Sequence, residues 1–100
     1  MDMQEKLFFV YIMANMPFGV FYIGVTSDLI KRAYERGNKL IDGFTKRYNL
    51  TRLVYYEMYR DAETAIKREK TLKRWSRQWE INIVTKFNPD WNDLYENICG

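Results

Sequence analysis

Glu69 is an acidic residue at a position where the surrounding pattern favours an apolar one. Residues 61–74 are predicted to form a helix, and at about 100° per residue Glu69 lies within its apolar stripe. The other members of that stripe are Ala62, Ala65, Ile66 and Leu72. Because burial of an unpaired carboxylate is costly, the position indicates a cationic partner, a bound metal ion or a cleft that keeps the acid hydrated.

Basic residues surround this acid on the same helix: Lys67, Arg68, Lys70, Lys73 and Arg74. Residues 29–77 contain 14 Lys or Arg against 6 Asp or Glu, although the net charge of the whole chain is only +3. Basic residues interleaved with Tyr and Trp are typical of surfaces that bind a phosphate backbone. For any single residue the alternative is a solvated surface charge. The pattern predicts a polyanion on one side of the helix and a divalent cation on the other.

The composition excludes several kinds of site. The chain has no histidine, which removes the Ser/His/Asp triad, zinc-histidine hydrolases and nucleases with a histidine base. Cys99 is its only cysteine, so neither an internal disulfide nor a cysteine-cluster zinc site is expected. We also expect no signal peptide and no membrane span, and therefore a cytoplasmic protein.

The elements that must position these residues follow from apolar runs and capping side chains. Strands are predicted at residues 7–14, 20–25 and 52–59, and helices at about residues 29–36, 61–74 and 76–87. Asp28, Asp61 and Ser76 are the expected N-caps. Together they predict one domain over residues 1–100, of the α/β class and α+β type. We expect a small three-stranded antiparallel sheet with a hairpin strand at its centre and about three flanking helices.

The connecting segments are predicted less specifically. Residues 1–6 are polar and expected to fray, and residues 38–50 are expected to form a long mobile loop. Residues 90–97 form a short tail, in which three apolar side chains are expected to pack back onto the core: Trp91, Leu94 and Tyr95.

Two tyrosines lie in the predicted hairpin. If the register pairs residues whose numbers sum to 33, Tyr11 and Tyr22 stand directly opposite each other, and a shift by one residue separates them. Gly24 would then leave that face open to a closely approaching ligand. The alternative for each tyrosine is a core aromatic with a satisfied hydroxyl.

The motifs around these residues resemble those of the GIY-YIG nuclease family, in its small stand-alone form. The match covers about residues 7–95, with Val10 in place of the first glycine of the signature. The motifs, in order, are Val10-Tyr11-Ile12, Tyr22-Ile23-Gly24, Ser27-Asp28-Leu29 with Arg32, Val54-Tyr55-Tyr56-Glu57, Arg68-Glu69 with Leu72-Lys73-Arg74-Trp75, and Asn88-Pro89 with Trp91 and Asp93-Leu94.

The resemblance implies a metal-dependent endonuclease that cuts a phosphodiester by attack of water. Tyr11 would be, or help to form, the general base, and Tyr22 would orient the water or the phosphate. Arg32 would stabilise charge on the phosphate, and Glu69 would hold a single Mg²⁺ or Mn²⁺. A phenol is mostly protonated at neutral pH, so the metal and nearby cations would have to assist it.

One departure from the family concerns proton transfer. Many relatives have a histidine where this chain has Arg36, which we therefore include among the candidate catalytic residues. Asn88 or Asn82 could supply the late asparagine of the site. Without the histidine, the alternative to an enzyme is a nucleic-acid-binding module on the same fold.

Nucleic acid is the expected partner, with DNA favoured and RNA as the alternative. The candidate contact residues are Gly24, Lys31, Lys46, Arg47, Arg68, Lys70, Lys73 and Arg74. Because 100 residues leave no room for a separate specificity domain, we expect structure-selective or weakly selective cleavage, in DNA repair or processing.

Overall fold

A computed structural model describes residues 6–41 and 43–100, so the expected fraying of residues 1–5 lies outside the described residues. The elements are β1 (Phe8–Ala14), β2 (Phe21–Thr26), α1 (Leu29–Gly37), α2 (Phe44–Arg47), β3 (Arg52–Tyr59), α3 (Ala62–Arg74), α4 (Arg77–Phe87) and α5 (Tyr95–Cys99). The sheet order is β2-β1-β3 with antiparallel pairing throughout. The predicted three-stranded sheet with a central hairpin strand is confirmed.

Strand β1 is covered on both faces, which explains its uninterrupted apolar sequence. Val10 and Ile12 pack with Ala65 of α3 and Val84 of α4 on one side. On the other side, Tyr11 belongs to a cluster that includes residues of α1. A β-bulge in the β1–β3 pairing places Val54 as an extra residue of β3, so that consecutive residues of that strand are buried.

Side chains cap the three longer helices as predicted. Asp28 accepts a hydrogen bond from the Lys31 amide at 3.1 Å, and Asp61 accepts one from the Thr64 amide at 2.8 Å. Ser76 accepts one from the Trp79 amide at 3.3 Å. Each bond satisfies an amide that the first turn of a helix leaves unpaired, which fixes where the helix begins.

The connecting segments contain more structure than expected. The predicted loop at residues 38–50 includes the short helix α2, whose Thr45 is buried. The tail forms α5, and Trp91 is 1% exposed, which confirms that the tail packs back onto the core. Cys99 is exposed. Within the described part of the chain, none of the helices is long and apolar enough to cross a membrane.

Helix α3 contacts the sheet along a narrower line than predicted. Ala65 and Leu72 are fully buried, but Ile66 is 43% exposed, so its assignment to the buried stripe was wrong. At 100° per residue, Ala65 and Leu72 nearly superimpose, and Ile66 projects about 100° away from them. Arg68 and Glu69 lie about 60° and 40° from this line, on opposite sides. Two adjacent polar residues therefore flank the buried line and diverge.

Candidate active site

The hairpin register differs from the one that would place the two tyrosines directly opposite each other. Tyr11 pairs with Gly24 and Tyr22 pairs with Met13, so paired residue numbers sum to 35. A shift of two residues keeps both tyrosines on one face of the sheet. Their ring centroids are 6.3 Å apart and the rings are tilted by 46°. The tyrosines are therefore diagonal neighbours.

Gly24 is matched to the Tyr11 side chain. A Cβ atom built on Gly24 would lie 2.6 Å from the Tyr11 hydroxyl oxygen and 2.7 Å from Cζ. The ring of Tyr11 therefore occupies the space that the sequence predicted to be open for a ligand. Glycine at this position makes room for the phenol of Tyr11, and contact of Gly24 with nucleic acid remains a prediction.

Arg36 connects the two tyrosines to α2. It is only 7% exposed, and its Nε donates a hydrogen bond to the Tyr11 hydroxyl at 2.9 Å. Nη2 is 3.4 Å from the Tyr22 hydroxyl, and Nη1 donates to Thr45 Oγ1 at 2.7 Å. Its Cζ also lies 4.5 Å from the centroid of the Tyr22 ring. The residue at the family's histidine position is thus the centre of a buried polar network.

Solvent reaches this network from one side. Tyr11 is 1% exposed, whereas Tyr22 is half-buried and lines a surface groove. The other residues that line this groove are Phe21, Ile23, Phe44, Lys73 and Glu80. Tyr22 is therefore the member of the pair that a water molecule or a phosphate can meet first.

Glu69 has the cationic partner that its position in α3 required. Its side chain is 17% exposed, and its Oε2 lies 2.8 Å from Nζ of Lys73. Lys73 is itself 51% exposed at the side chain and lines the same groove as Tyr22. Tyr22 and Lys73 thus line one groove, and Lys73 links Glu69 to it.

The surroundings of Glu69 suit a metal that is held by few protein ligands. Within the described ranges, 6–41 and 43–100, no three or more His, Cys, Asp or Glu side chains group as a metal site. Mg²⁺ retains several waters and is commonly bound by one or two carboxylates together with substrate phosphates. One partly buried carboxylate beside a groove fits that requirement, provided that Lys73 releases it.

Arg32 lies one turn before Arg36 on α1. Its Nε is 3.4 Å from Oε1 of Glu35, and its side chain is 35% exposed. It lines a small polar pocket together with Thr26, Ser27, Asp28, Lys31 and Glu35. A phosphate role for Arg32, and a contact role for Lys31, remain predictions.

Arg68, a predicted nucleic-acid contact, is bound instead to an acid of β3. Its Nε and Nη2 donate to the two carboxylate oxygens of Glu57 at 2.9 and 3.0 Å. The hydroxyls of Tyr55 and Tyr59 donate to the same carboxylate. Glu57 lies within one of the family motifs but was assigned no role from the sequence. Its signal was an acid between two tyrosines at spacings of two residues, on the buried face of a strand.

The pKa values in this cluster record its mutual stabilisation. Desolvation alone would raise the pKa of Glu57, but the hydrogen bonds from Arg68, Tyr55 and Tyr59 hold it below its ordinary value. Burial, and then the bond to Glu57, raise the pKa of Tyr59 to about 12 and raise that of Tyr55 further. The carboxylate is charged and both phenols are neutral at physiological pH.

The remaining candidates lie in three places. Lys70 and Arg74 are exposed on α3, and Lys46 and Arg47 line a second groove on α2. Asn88 is 6% exposed, and its amide bonds the Val54 carbonyl and the backbone of Asn92. These bonds fix the start of the tail, and nothing in them supports a part for Asn88 in the site.

Residues 7–82 match the family described as the GIY-YIG catalytic domain. This chain belongs to the GIY-YIG family. The match includes the tyrosine network and Glu69 but ends before Asn88. The family typically uses a divalent metal, and its fold is that of a nuclease.

Two relatives of this GIY-YIG chain are small bacterial proteins. The UPF0213 protein SSP2268 of Staphylococcus saprophyticus is 32% identical over 68 residues, which cover 68% of this chain and 83% of the relative. A UPF0213 protein of Staphylococcus aureus strain Mu3 is 32% identical over 76 residues, which cover 76% of this chain and 92% of the relative. No solved structure matches the chain. The names of these relatives state no activity.

Proposed function

We propose that this GIY-YIG protein is a metal-dependent DNA endonuclease that hydrolyses phosphodiester bonds by attack of water. The observation that carries the proposal is the groove in which the Arg36-bonded Tyr22 and Lys73, the partner of Glu69, are both found. A groove lined by Tyr22 of the tyrosine network and by Lys73, the partner of the largely buried Glu69, can receive a phosphate close to both a proton acceptor and a cation site.

Arg36 has a different task from the histidine that many relatives place there. A guanidinium has only donors and stays charged, so Arg36 cannot remove a proton from water. It holds the hydroxyl oxygens of Tyr11 and Tyr22 as acceptors, which fixes their positions. It also stabilises the phenolate that either tyrosine would have to form before it could accept a proton.

The proton of the attacking water passes to a phenolate of the tyrosine pair, which becomes a neutral phenol. Tyr22 meets the water because it faces the groove, and Tyr11 supports it from the buried side. Arg32, on the same helix as Arg36, contacts the phosphate once substrate competes with Glu35 for its guanidinium.

Glu69 would hold a single Mg²⁺ or Mn²⁺ through its carboxylate. When bound, the metal polarises the phosphate and neutralises charge that develops on it. Lys73 would then leave Glu69, and because it is half-exposed and lines the groove, it could reach the phosphate. Lys46, Arg47, Lys70 and Arg74 bind the DNA backbone without reading its sequence, which suits weakly selective cleavage in DNA processing.

Cleavage assays test this proposal. Nicked, flapped and supercoiled DNA are incubated with Mg²⁺ or Mn²⁺ and either the wild-type protein or the Glu69→Ala variant. We expect metal-dependent cleavage that Glu69→Ala abolishes. Glu63→Ala is the matched control, because Glu63 is an exposed acid on the same helix that pairs with Lys67. Equal cleavage by wild type and Glu69→Ala contradicts the assignment.

A second candidate function is nucleic-acid binding without hydrolysis. Two cations favour it. Arg36 stands at the family's histidine position and cannot act as a base, and Lys73 is paired with the Glu69 carboxylate, which would have to bind the metal. This function predicts salt-sensitive binding with no metal-dependent turnover. Glu69-dependent cleavage would rule it out.

A further inference from the structure

Three aromatic rings form a contiguous row that leads outward from Tyr22. The ring centroids of Tyr22 and Phe44 are 6.4 Å apart, and those of Phe44 and Tyr48 are 4.7 Å apart. Phe44 is 47% exposed and Tyr48 is 43% exposed. Neighbouring rings are tilted by 32° and 43°, so each exposed ring offers its own flat apolar face of the kind on which a nucleobase stacks.

The row connects two grooves of the surface. Phe44 lines the groove that contains Tyr22 and Lys73, and it also lines the groove on α2. The other residues that line the second groove are Gly43, Lys46, Arg47 and Tyr48. Because Phe44 belongs to both, the surface is continuous from the candidate active site to Tyr48.

The charges along this row suit a polyanion. The guanidinium carbon of Arg47 lies 5.6 Å from the centroid of the Tyr48 ring, and Lys46 lines the same groove. Among the described residues that line the two grooves, Glu80 is the acidic one, and burial raises its pKa. Exposed aromatic faces alternating with cations are characteristic of surfaces that bind single-stranded nucleic acid, whereas a duplex keeps its bases stacked internally.

Helix α2 fixes the aromatic row relative to the tyrosine network. Thr45, the residue after Phe44, is 1% exposed and accepts a hydrogen bond from Arg36 at 2.7 Å. A single short helix therefore carries both an exposed ring and a buried anchor to the arginine that bonds Tyr11 and Tyr22. A base that stacks on Phe44 would be held at a set distance from those hydroxyls.

We propose that Phe44 and Tyr48 stack unpaired bases of single-stranded DNA and that the groove at Tyr22 and Lys73 receives an adjoining phosphate. The second half of this inference rests on the proposed function, and the first half does not. The substrate class that follows is DNA with an unpaired segment, such as a flap or an overhang.

Fluorescence anisotropy with a labelled oligothymidine of about 12 nucleotides tests the inference, since such surfaces cover several nucleotides. The measurement is made in EDTA, so that no cleavage takes place. We expect Phe44→Ala and Tyr48→Ala each to weaken binding about fivefold or more. Phe44→Leu should behave like Phe44→Ala, because leucine keeps the apolar bulk but loses the flat face. Trp79→Ala is the control, since Trp79 is 60% exposed on α4, outside the row.

Unchanged oligothymidine affinity in both alanine variants overturns the inference. The inference is also overturned if a blunt duplex binds more tightly than oligothymidine and loses as much affinity in Phe44→Ala. If the matching RNA binds more tightly than the DNA, the assignment to DNA is overturned. Glu69-dependent cleavage with unchanged affinities would sink this inference and leave the proposed function intact. Phe44-dependent binding without any metal-dependent cleavage would support the stacking of bases and contradict the proposed function.

Discussion

Glu57 and Glu69 are both partly buried acids that a cation of α3 holds, but the two pairs differ in how completely they are satisfied. Glu57 receives two bonds from Arg68 and one from each of two tyrosines. Glu69 has an ion pair to Lys73 through one oxygen, and Lys73 is half-exposed. A planar guanidinium in a bidentate bond is hard to replace, whereas a flexible ammonium exchanges easily.

The helix itself produces this difference. Arg68 and Glu69 are adjacent, so they flank the buried line of Ala65 and Leu72 and diverge towards opposite edges of the sheet. Arg68 reaches β3, and the partner of Glu69 lies in the groove beside β2. An acid with every lone pair engaged therefore stabilises the fold, whereas an acid paired with an exchangeable cation is available to a ligand.

Glu69→Gln should produce the largest effect on activity and a small one on stability. We expect cleavage to fall about 100-fold or more, since the neutral amide binds a divalent metal poorly. The free energy of unfolding should change by less than about 1 kcal/mol, because Lys73, the partner of Glu69, is half-exposed. Denaturant unfolding and cleavage rates are measured on one preparation. A large loss of stability would contradict the assignment of a structural role to Glu57 and not to Glu69.

Glu57→Gln should show the opposite balance. It leaves Arg68 without its charged partner between α3 and the sheet, at a site where the side chains are 15% and 29% exposed. We expect a loss of about 2 kcal/mol in the free energy of unfolding. Urea unfolding measures the loss. A variant as stable as the wild type would remove the structural role assigned to this cluster.

The pH dependence of stability should follow Glu57 and Tyr59. The pKa of Glu57 is lowered in the folded protein, so its contribution is present above the ordinary value of 4.5 and is lost as pH falls through the folded value. The pKa of Tyr59 is raised from 10.0 to about 12, so its contribution is present below pH 10 and is lost as pH rises towards 12. Above pH 10, the free energy of unfolding of Tyr59→Phe should fall less steeply with pH than that of the wild type. An equally steep loss would contradict the assignment.

Lys73→Met should produce the smallest effect, an increase in the affinity for a metal ion. Removal of the lysine frees Glu69, so the affinity for Mn²⁺ without DNA should rise about threefold, as expected for a half-exposed ion pair. Electron paramagnetic resonance of free Mn²⁺ measures the change. Lys67→Met is the control, because its partner Glu63 is fully at the surface. Equal affinities in all three proteins would show that Lys73 does not compete for the acid.

Local patterns were sufficient to predict the sheet, the longer helices and their caps. The hairpin register was not accessible, because it depends on the turn. There the Asn15 side chain accepts a hydrogen bond from the Val20 amide at 2.8 Å, which delays the start of β2 to Phe21. Register in a hairpin is set by such turn geometry more than by the strand residues.

The candidate site was predictable in part. Periodicity identified Glu69 as anomalous, and the family resemblance brought Arg36 into consideration. The partners of Arg36 could not be predicted, because Thr45 lies in a segment without clear periodicity and meets Arg36 only through tertiary packing. The role of Glu57 was missed for a similar reason: its partner Arg68 lies on another element and was predicted to contact nucleic acid.

The central claim, that Glu69 is the acid available to a metal, is tested most directly by anomalous diffraction from crystals soaked in manganese. We predict a manganese peak bonded to a Glu69 carboxylate oxygen, with Nζ of Lys73 displaced from its 2.8 Å contact. A peak at another acid, or an intact pair of Lys73 and Glu69 in crystals saturated with manganese, would contradict the claim.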